Sequence, residues 1–177
     1  MGHASAHPQR VRLFVGLWPG EAVRDEIVDH ARAWVWPPQA RLTHRERLHL
    51  TLCFLGELPA QRIPEVVERL PVRFEAFELR LGRAEVWSGG QAVLRPLAVP
   101  GALQMLHDRL GRALRWHAAP WLPRRSSFAP HVTLARDVRA ALPPPHVLPI
   151  AWPVTGYTLI ESDLRPPARY RVLYEYP

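Results

Sequence analysis

Lysine is missing from this chain. All 23 basic residues are arginine, against 16 acidic ones, for a formal net charge of +7 and a sequence pI of about 10.8. Arginine keeps its charge and presents a planar fork that matches phosphate oxygens, so the balance favours a phosphate-bearing partner. The same absence, with 20 prolines and abundant Ala and Leu, also follows from a codon bias toward arginine, so charge by itself does not establish a nucleic acid. Cysteine is nearly missing too. The lone Cys53 excludes an internal disulfide framework and fits a reducing compartment, which makes cytoplasmic residence the expectation. No apolar run approaches the ~18 residues of a membrane span, and residues 1–10 lack the apolar centre of a signal peptide.

What is present is an ordinary globular composition, 47% hydrophobic and 22% charged. A chain of 177 residues accommodates one substantial domain or two small lobes sharing a core. The expectation is a disordered lead-in over 1–9 and a single domain over 10–177.

One short unit occurs twice. Leu48-His49-Leu50-Thr51-Leu52 returns as Pro130-His131-Val132-Thr133-Leu134. In a strand, alternate side chains share a face, so His49 with Thr51, and His131 with Thr133, present an imidazole and a hydroxyl opposite an apolar face. A single His-x-Thr in a strand is usually no more than a polar outer face. Its duplication with matched apolar partners points instead to one site built from two halves.

These residues resemble the paired His-x-Thr-x motifs of the 2H phosphoesterase superfamily. Residues 12–17, 48–56 and 128–136, and Leu159-Ile160-Glu161-Ser162 with Tyr170, are similar in kind and order to the bacterial RNA 2′,3′-cyclic phosphodiesterases, also called 2′-5′ RNA ligases. The resemblance implies an α+β, bilobal fold: two pseudo-symmetric lobes of antiparallel sheet, helices packed outside, and a central cleft. It implies His49 as general acid toward a leaving 3′-oxygen and His131 as general base for water. Thr51 and Thr133 would act on the phosphate oxygens, and Arg136 matches a phosphate-contacting arginine of the family. Strict alternation puts Arg136 opposite His131, so its reach requires the strand to end or bulge. The sequence departs from the family at Cys53, where a basic residue is common. No cofactor and no metal are implied.

The chemistry suits the residues. Hydrolysis of a cyclic phosphodiester needs attacking and leaving oxygens roughly in line, so acid and base must come from opposite sides, one histidine from each half. A pKa near 6.5 lets one ring be protonated and the other neutral. The implied partner is an RNA with a 2′,3′-cyclic phosphate end, tRNA fragments being one source, or a small nucleotide; a monomer with no membrane partner is expected. Competing readings are a phosphodiesterase acting on a small cyclic or 2′-5′-linked nucleotide, a non-catalytic RNA-end binding protein, and a metal site using His49 and His131. For the last, no recognisable ligand pattern accompanies the pair. A nucleophilic Cys53 has no duplicated partner to support it, and an inert buried thiol is the commoner case.

Along the chain, periodicity predicts a strand over 11–18 and a helix over 21–34 with Val23, Ile27, Val28, Ala31 and Val35 inward. A basic loop over 41–47 leads to the first motif strand, 48–55. A short helix over 61–70 follows, then strands over 74–81, 84–87 and 92–99. Pro100 opens a helix over 101–117 whose buried stripe is Leu103, Leu106, Leu110, Ala113 and Leu114, with His107 and His117 on its solvated face. The loop over 120–127, carrying Arg124 and Arg125, precedes the second motif. Three consecutive prolines make 140–149 a surface loop. Strands over 154–161 and 170–176, joined by a turn at 165–167, finish the chain.

Overall fold

The computed structural model describes residues 9–115, 128–165 and 168–177. The lead-in over 1–8, His117, Arg124, Arg125 and the two prolines of the 165–167 turn lie outside that set. The described residues form an α+β fold, an antiparallel sheet of nine strands with helices on its outer side. In chain order the strands are β1 (Arg10–Leu17), β2 (Arg41–Leu42), β3 (Leu50–Pro59), β4 (Phe77–Trp87), β5 (Gln91–Pro96), β6 (Val132–Arg136), β7 (Ile150–Val154), β8 (Tyr157–Asp163) and β9 (Arg169–Tyr176). The helices are α1 (Glu21–Arg32), α2 (Ile63–Arg69) and α3 (Gly101–Arg115).

The spatial order β7-β4-β5-β6-β3-β1-β8-β9, with β2 on β6, divides the sheet at its middle. β1, β3, β8 and β9 make the first lobe, and β4 to β7 make the second. The two motif strands meet at the centre, where the lobes are joined by one paired position, Leu50 opposite Val132. The helices cross between lobes. α1, which follows β1, packs against β7, whereas α3, which follows β5, packs against β3.

Alternation assigns the faces. In β1, Val11, Leu13, Val15 and Leu17 are buried in the core, leaving Arg12, Phe14 and Gly16 on the side of the cleft. In α3, Leu103, Leu106, Leu110 and Leu114 of the expected stripe are buried, each worth about 1.5–3 kcal/mol of transfer free energy, whereas Ala113 is only half-buried. α1 buries Val23 and Ile27, but it ends at Arg32, so Val35 falls beyond the helix and is exposed. Among the described residues no helix is long and apolar enough to cross a membrane.

Several strand boundaries differ from the periodicity reading, and the first motif strand, expected over 48–55, runs as Leu50–Pro59. The strands expected over 74–81 and 84–87 are one strand, β4, whose register slips at Gly82 without breaking the pairing. A Cβ there would stand 2.9 Å from a terminal methyl of the exposed Leu97 side chain, which would have to shift to make room for it. The strand expected over 154–161 is β8, shifted to Tyr157–Asp163, and it is preceded by a strand that periodicity did not predict, β7, from which Thr155-Gly156 separates it. β7 was hidden by Pro153, which an edge strand tolerates because its missing N–H can face away from the ladder. The basic loop over 41–47 contains the short β2, whose Arg41 and Leu42 lie opposite Arg136 and Ala135. The 140–149 segment holds no regular element apart from one bridge, Leu142 to Val35.

Candidate active site

His49 enters the cleft from a braced turn. Residues Arg45–Arg47 form a 3-10 turn tied to α1 by Arg45–Asp25 at 2.7 Å and Arg24–Glu46 at 2.9 Å. That turn holds the Arg47 carbonyl 2.6 Å from His49 Nδ1. A carbonyl only accepts, so Nδ1 carries the hydrogen and Nε2 is left for chemistry. His131 repeats the arrangement, with Nδ1 donating to the Ala129 carbonyl at 2.8 Å. Each imidazole is therefore oriented by the carbonyl two residues before it.

The central pairing then places four side chains together. Leu50 and Val132 are fully buried, so the residues flanking them turn to the other face. Continuing the Leu50–Val132 register by one residue sets His49 opposite Thr133 and Thr51 opposite His131. All four line one cleft of about 390 Å³. The histidine-threonine pairs read from the sequence are thus brought together, one from each lobe.

Arg136 joins them through a bulge. Opposite β5, Val93 pairs with Thr133 but Ala92 pairs with Ala135, so Leu134 is the extra residue and the alternation beyond it reverses. Arg136 consequently returns to the face of Thr133 and lines the cleft. Asp137 follows it in the left-handed region, φ 60°, a conformation that Asp adopts more readily than most residues. β3 carries the same device: Gly16 pairs with Thr51 and Val15 with Cys53, leaving Leu52 extra. Cys53 is thereby turned to pack against the core, and Phe54 takes the cleft position. The basic residue missed at Cys53 would not have faced the site along this strand.

Several lining residues were not singled out from the sequence. Arg12, Arg41, Arg47, Phe54, Ser162 and Tyr170 border the same cleft. The signals that could have found them were the basic loop ahead of the first motif and the terminal residues 159–162 and 170 of the family likeness. Arg41 pairs with Asp137, whereas Arg12, Arg47 and Arg136 have no carboxylate within 4 Å among the described residues. Three unneutralised guanidinium groups thus face one cavity, a field suited to anions. Around His49 stand Phe14, Trp18 and Tyr170, with ring centroids 4.7, 5.9 and 5.4 Å away. Trp87 lies edge-on to His131 at 4.4 Å.

Both catalytic candidates titrate below the usual histidine value. For His49 burial is the main cause, partly offset by the bond to Arg47, with His131 and Arg136 adding repulsion. For His131 burial again leads, opposed by the bond to Ala129, and Arg95 and Arg136 add to the lowering. Among the described residues no group of three or more His, Cys, Asp or Glu is placed to hold a metal ion.

His107 differs from expectation. It does not lie on a solvated face: it is half-buried, its Nδ1 sits 2.8 Å from the Leu52 carbonyl, and its ring stacks on Phe128 with centroids 4.0 Å apart. Helical spacing placed it outside the leucine stripe but could not reveal an acceptor 55 residues away.

A family model described as the 2'-5' RNA ligase superfamily matches residues 19–172. The chain belongs to that superfamily. Members of the superfamily to which it is similar include the RNA 2',3'-cyclic phosphodiesterase of Escherichia coli, 33% identical over 175 residues that cover 96% of this chain and 94% of the relative. The enzyme of the same name from Thermus thermophilus is 32% identical over 177 residues, covering 88% and 84%. Among solved structures, E. coli LigT complexed with NADP+ superposes with a TM-score of 0.82 at 28% identity, covering 95% of this chain and 98% of that one. A protein of T. thermophilus gives 0.79 at 30% identity, covering 93% and 96%. The two-lobed 2H phosphoesterase fold expected from the motifs is the fold of this chain.

Proposed function

We propose that this chain is an RNA 2′,3′-cyclic phosphodiesterase that opens 2′,3′-cyclic phosphate ends to 2′-phosphate ends. The observation that carries the reading is the cross-lobe quartet: His49 and Thr51 from one half and His131 and Thr133 from the other line one cleft, with each imidazole held at Nδ1 by a backbone carbonyl so that Nε2 is left for chemistry. Water adds to phosphorus as the bond to the 3′-oxygen breaks. His131 Nε2 takes the proton from water, and His49, protonated at Nε2, gives one to the 3′-oxygen. Thr51, Thr133 and Arg136 hold the non-bridging oxygens, where charge shifts during the step.

The lowered pKa values fit a site completed by its substrate. Buried imidazoles beside Arg136 resist protonation, and a phosphodiester anion set between them raises both, so the acid acquires its proton where it is used. The charge for phosphate comes from arginine, which is why no metal is assigned a role. Run backward, the same geometry joins a 2′,3′-cyclic phosphate to a 5′-hydroxyl as a 2′-5′ linkage.

The deciding experiment is product analysis on an RNA oligonucleotide ending in a 2′,3′-cyclic phosphate, with wild type, His49→Ala and His131→Ala, each with and without EDTA. A 2′-phosphate end formed by wild type in both buffers is expected. A 3′-phosphate product would reverse the assignment of the leaving oxygen, and loss in EDTA with rescue by a divalent ion would favour metal chemistry.

A further inference from the structure

We propose that Arg12, Ser162 and Tyr170 form a second anion subsite in the cleft, one that takes the phosphodiester next to the reacting end, so that the site is built for an RNA chain over a cyclic mononucleotide. This inference rests on the phosphodiesterase reading and assigns residues to the part of the RNA chain next to the reacting end.

The two bulges define equivalent positions in the two lobes. Phe14–Phe54 in the first lobe corresponds to Gln91–Arg136 in the second, since each pair lies just past the extra residue that follows the motif threonine. Where the second lobe puts the Arg136 guanidinium, the first puts a phenyl ring. A guanidinium is nevertheless there: Arg12, from the neighbouring strand, lies over the Phe54 ring with its Cζ 4.6 Å from the centroid. The first lobe therefore also supplies a cation, set back from the reacting centre by an aromatic ring.

Distance separates the two cations in role. Arg136 is three residues from Thr133 on one strand. Arg12 lies four residues along β1 from Gly16, the partner of Thr51, which is about 13 Å of strand. That spacing suits a neighbouring phosphate better than the one held by Thr51. Arg12 has no carboxylate within 4 Å among the described residues, so its charge is unspent in the fold.

An independent sign of a ligand lies beside it. Ser162 is 6% exposed, its Oγ has no hydrogen-bond partner, and it lines the cleft. A hydroxyl left unsatisfied in a buried position is costly, and a phosphate oxygen would satisfy it. The β1–β8 register, Leu13 opposite Glu161, extends by one residue to set Ser162 opposite Arg12, and Tyr170 is opposite Ser162 on β9. Guanidinium, hydroxyl and phenol thus form a row across three strands. Tyr170 also packs edge-on against His49, so the row is continuous with the catalytic quartet.

The test compares three substrates: a 2′,3′-cyclic mononucleotide, a dinucleotide with the same cyclic end, and that dinucleotide with an uncharged methylphosphonate linkage. Wild type is expected to prefer the charged dinucleotide. In Arg12→Met it should lose about tenfold more kcat/KM than the mononucleotide does, chiefly through KM, and lose its advantage over the methylphosphonate. The salt dependence of log kcat/KM should fall by about one unit of slope. Ser162→Ala, which removes only a hydroxyl, should shift the same ratio in the same direction and serves if Arg12→Met fails to fold. Equal loss on all three substrates, or no preference for the charged dinucleotide in wild type, would overturn the subsite. Failure of wild type to open any of the three would instead overturn the phosphodiesterase reading.

Discussion

His107 donates its Nδ1–H to the carbonyl of Leu52 at 2.8 Å, the carbonyl of the extra residue in the β3 bulge. The equivalent carbonyl in the other lobe, that of Leu134, accepts the backbone amide of Thr43, also at 2.8 Å. A bulge frees a buried acceptor from the ladder, and each lobe has found its own donor. In one lobe the donor is main chain, and in the other it is an imidazole that also stacks on Phe128, three residues before His131. His107→Leu should therefore cost about 1–3 kcal/mol, seen as a fall of several degrees in melting temperature. His107→Gln, which restores a donor, should recover part of it. Two variants with melting points equal to wild type would show that the Leu52 carbonyl does not need His107.

On the proposed mechanism, His49 and His131 should each matter by ~10²–10⁴ in turnover when changed to alanine. Their losses should not multiply in His49→Ala/His131→Ala, because both act in one step. Single-turnover rates on a cyclic-phosphate substrate decide this, and a double variant showing the full product of the two losses would separate their actions.

The threonines can be tested without altering shape. Thr51→Val and Thr133→Val keep the β-branched side chain and remove the hydroxyl. Each should lose ~1.5–3 kcal/mol of catalysis, roughly ten- to two-hundred-fold, with little change in thermal unfolding. A lower melting temperature with unchanged activity per folded molecule would make the threonines strand formers only.

The pH profile follows from the direction of the shifts. Both histidines titrate below about 6.5, mainly because they are buried, and the proposed acid–base step needs one protonated and one neutral. The bell in kcat/KM, which reports the free enzyme, should be centred below pH 6.5. The bell in kcat should sit at higher pH, since the bound anion raises the pair, and both describe the coupled pair and not single residues. A kcat/KM maximum well above 6.5 would contradict the burial of these rings.

Much of this site was legible before any coordinates. A motif of five residues states its own periodicity, so His49, Thr51, His131 and Thr133 declared their faces. Arg136 did not, because its side depends on whether Leu134 is paired, a fact belonging to β5. Phe54 was invisible as a site residue for the same reason. His107 was misread because a helix pattern reports the apolar stripe and not what a polar neighbour meets across the fold. Pro153 and Gly82, strong punctuation locally, were overridden by an edge position and by a bulge.

Stability should also depend on pH in a predictable sense. His30, like His49 and His131, has a folded pKa lowered by burial. Their contribution is therefore fully present above the unfolded value of about 6.5 and is lost as pH falls through it toward the folded values. Urea midpoints should decline from pH 7.5 to pH 5, and His49→Ala/His131→Ala should flatten that decline. A midpoint that rises on acidification would show that burial of these rings does not set the sign.

The crossing of the helices bears on how the chain can be cut. Residues 77–154 hold all four strands of the second lobe as one uninterrupted insert, which by chain order looks removable. Yet β7 takes its cover from α1, and β6 has β2 along it, both encoded before the insert begins. In return the insert's α3 covers β3. Excised, 77–154 would expose the apolar face that α1 shields, and the remainder would lose the roof of its own motif strand. Neither piece is expected to fold alone, although the two expressed together should reassociate and rebuild the cleft, because the α1–β7, β2–β6 and α3–β3 contacts all run between them.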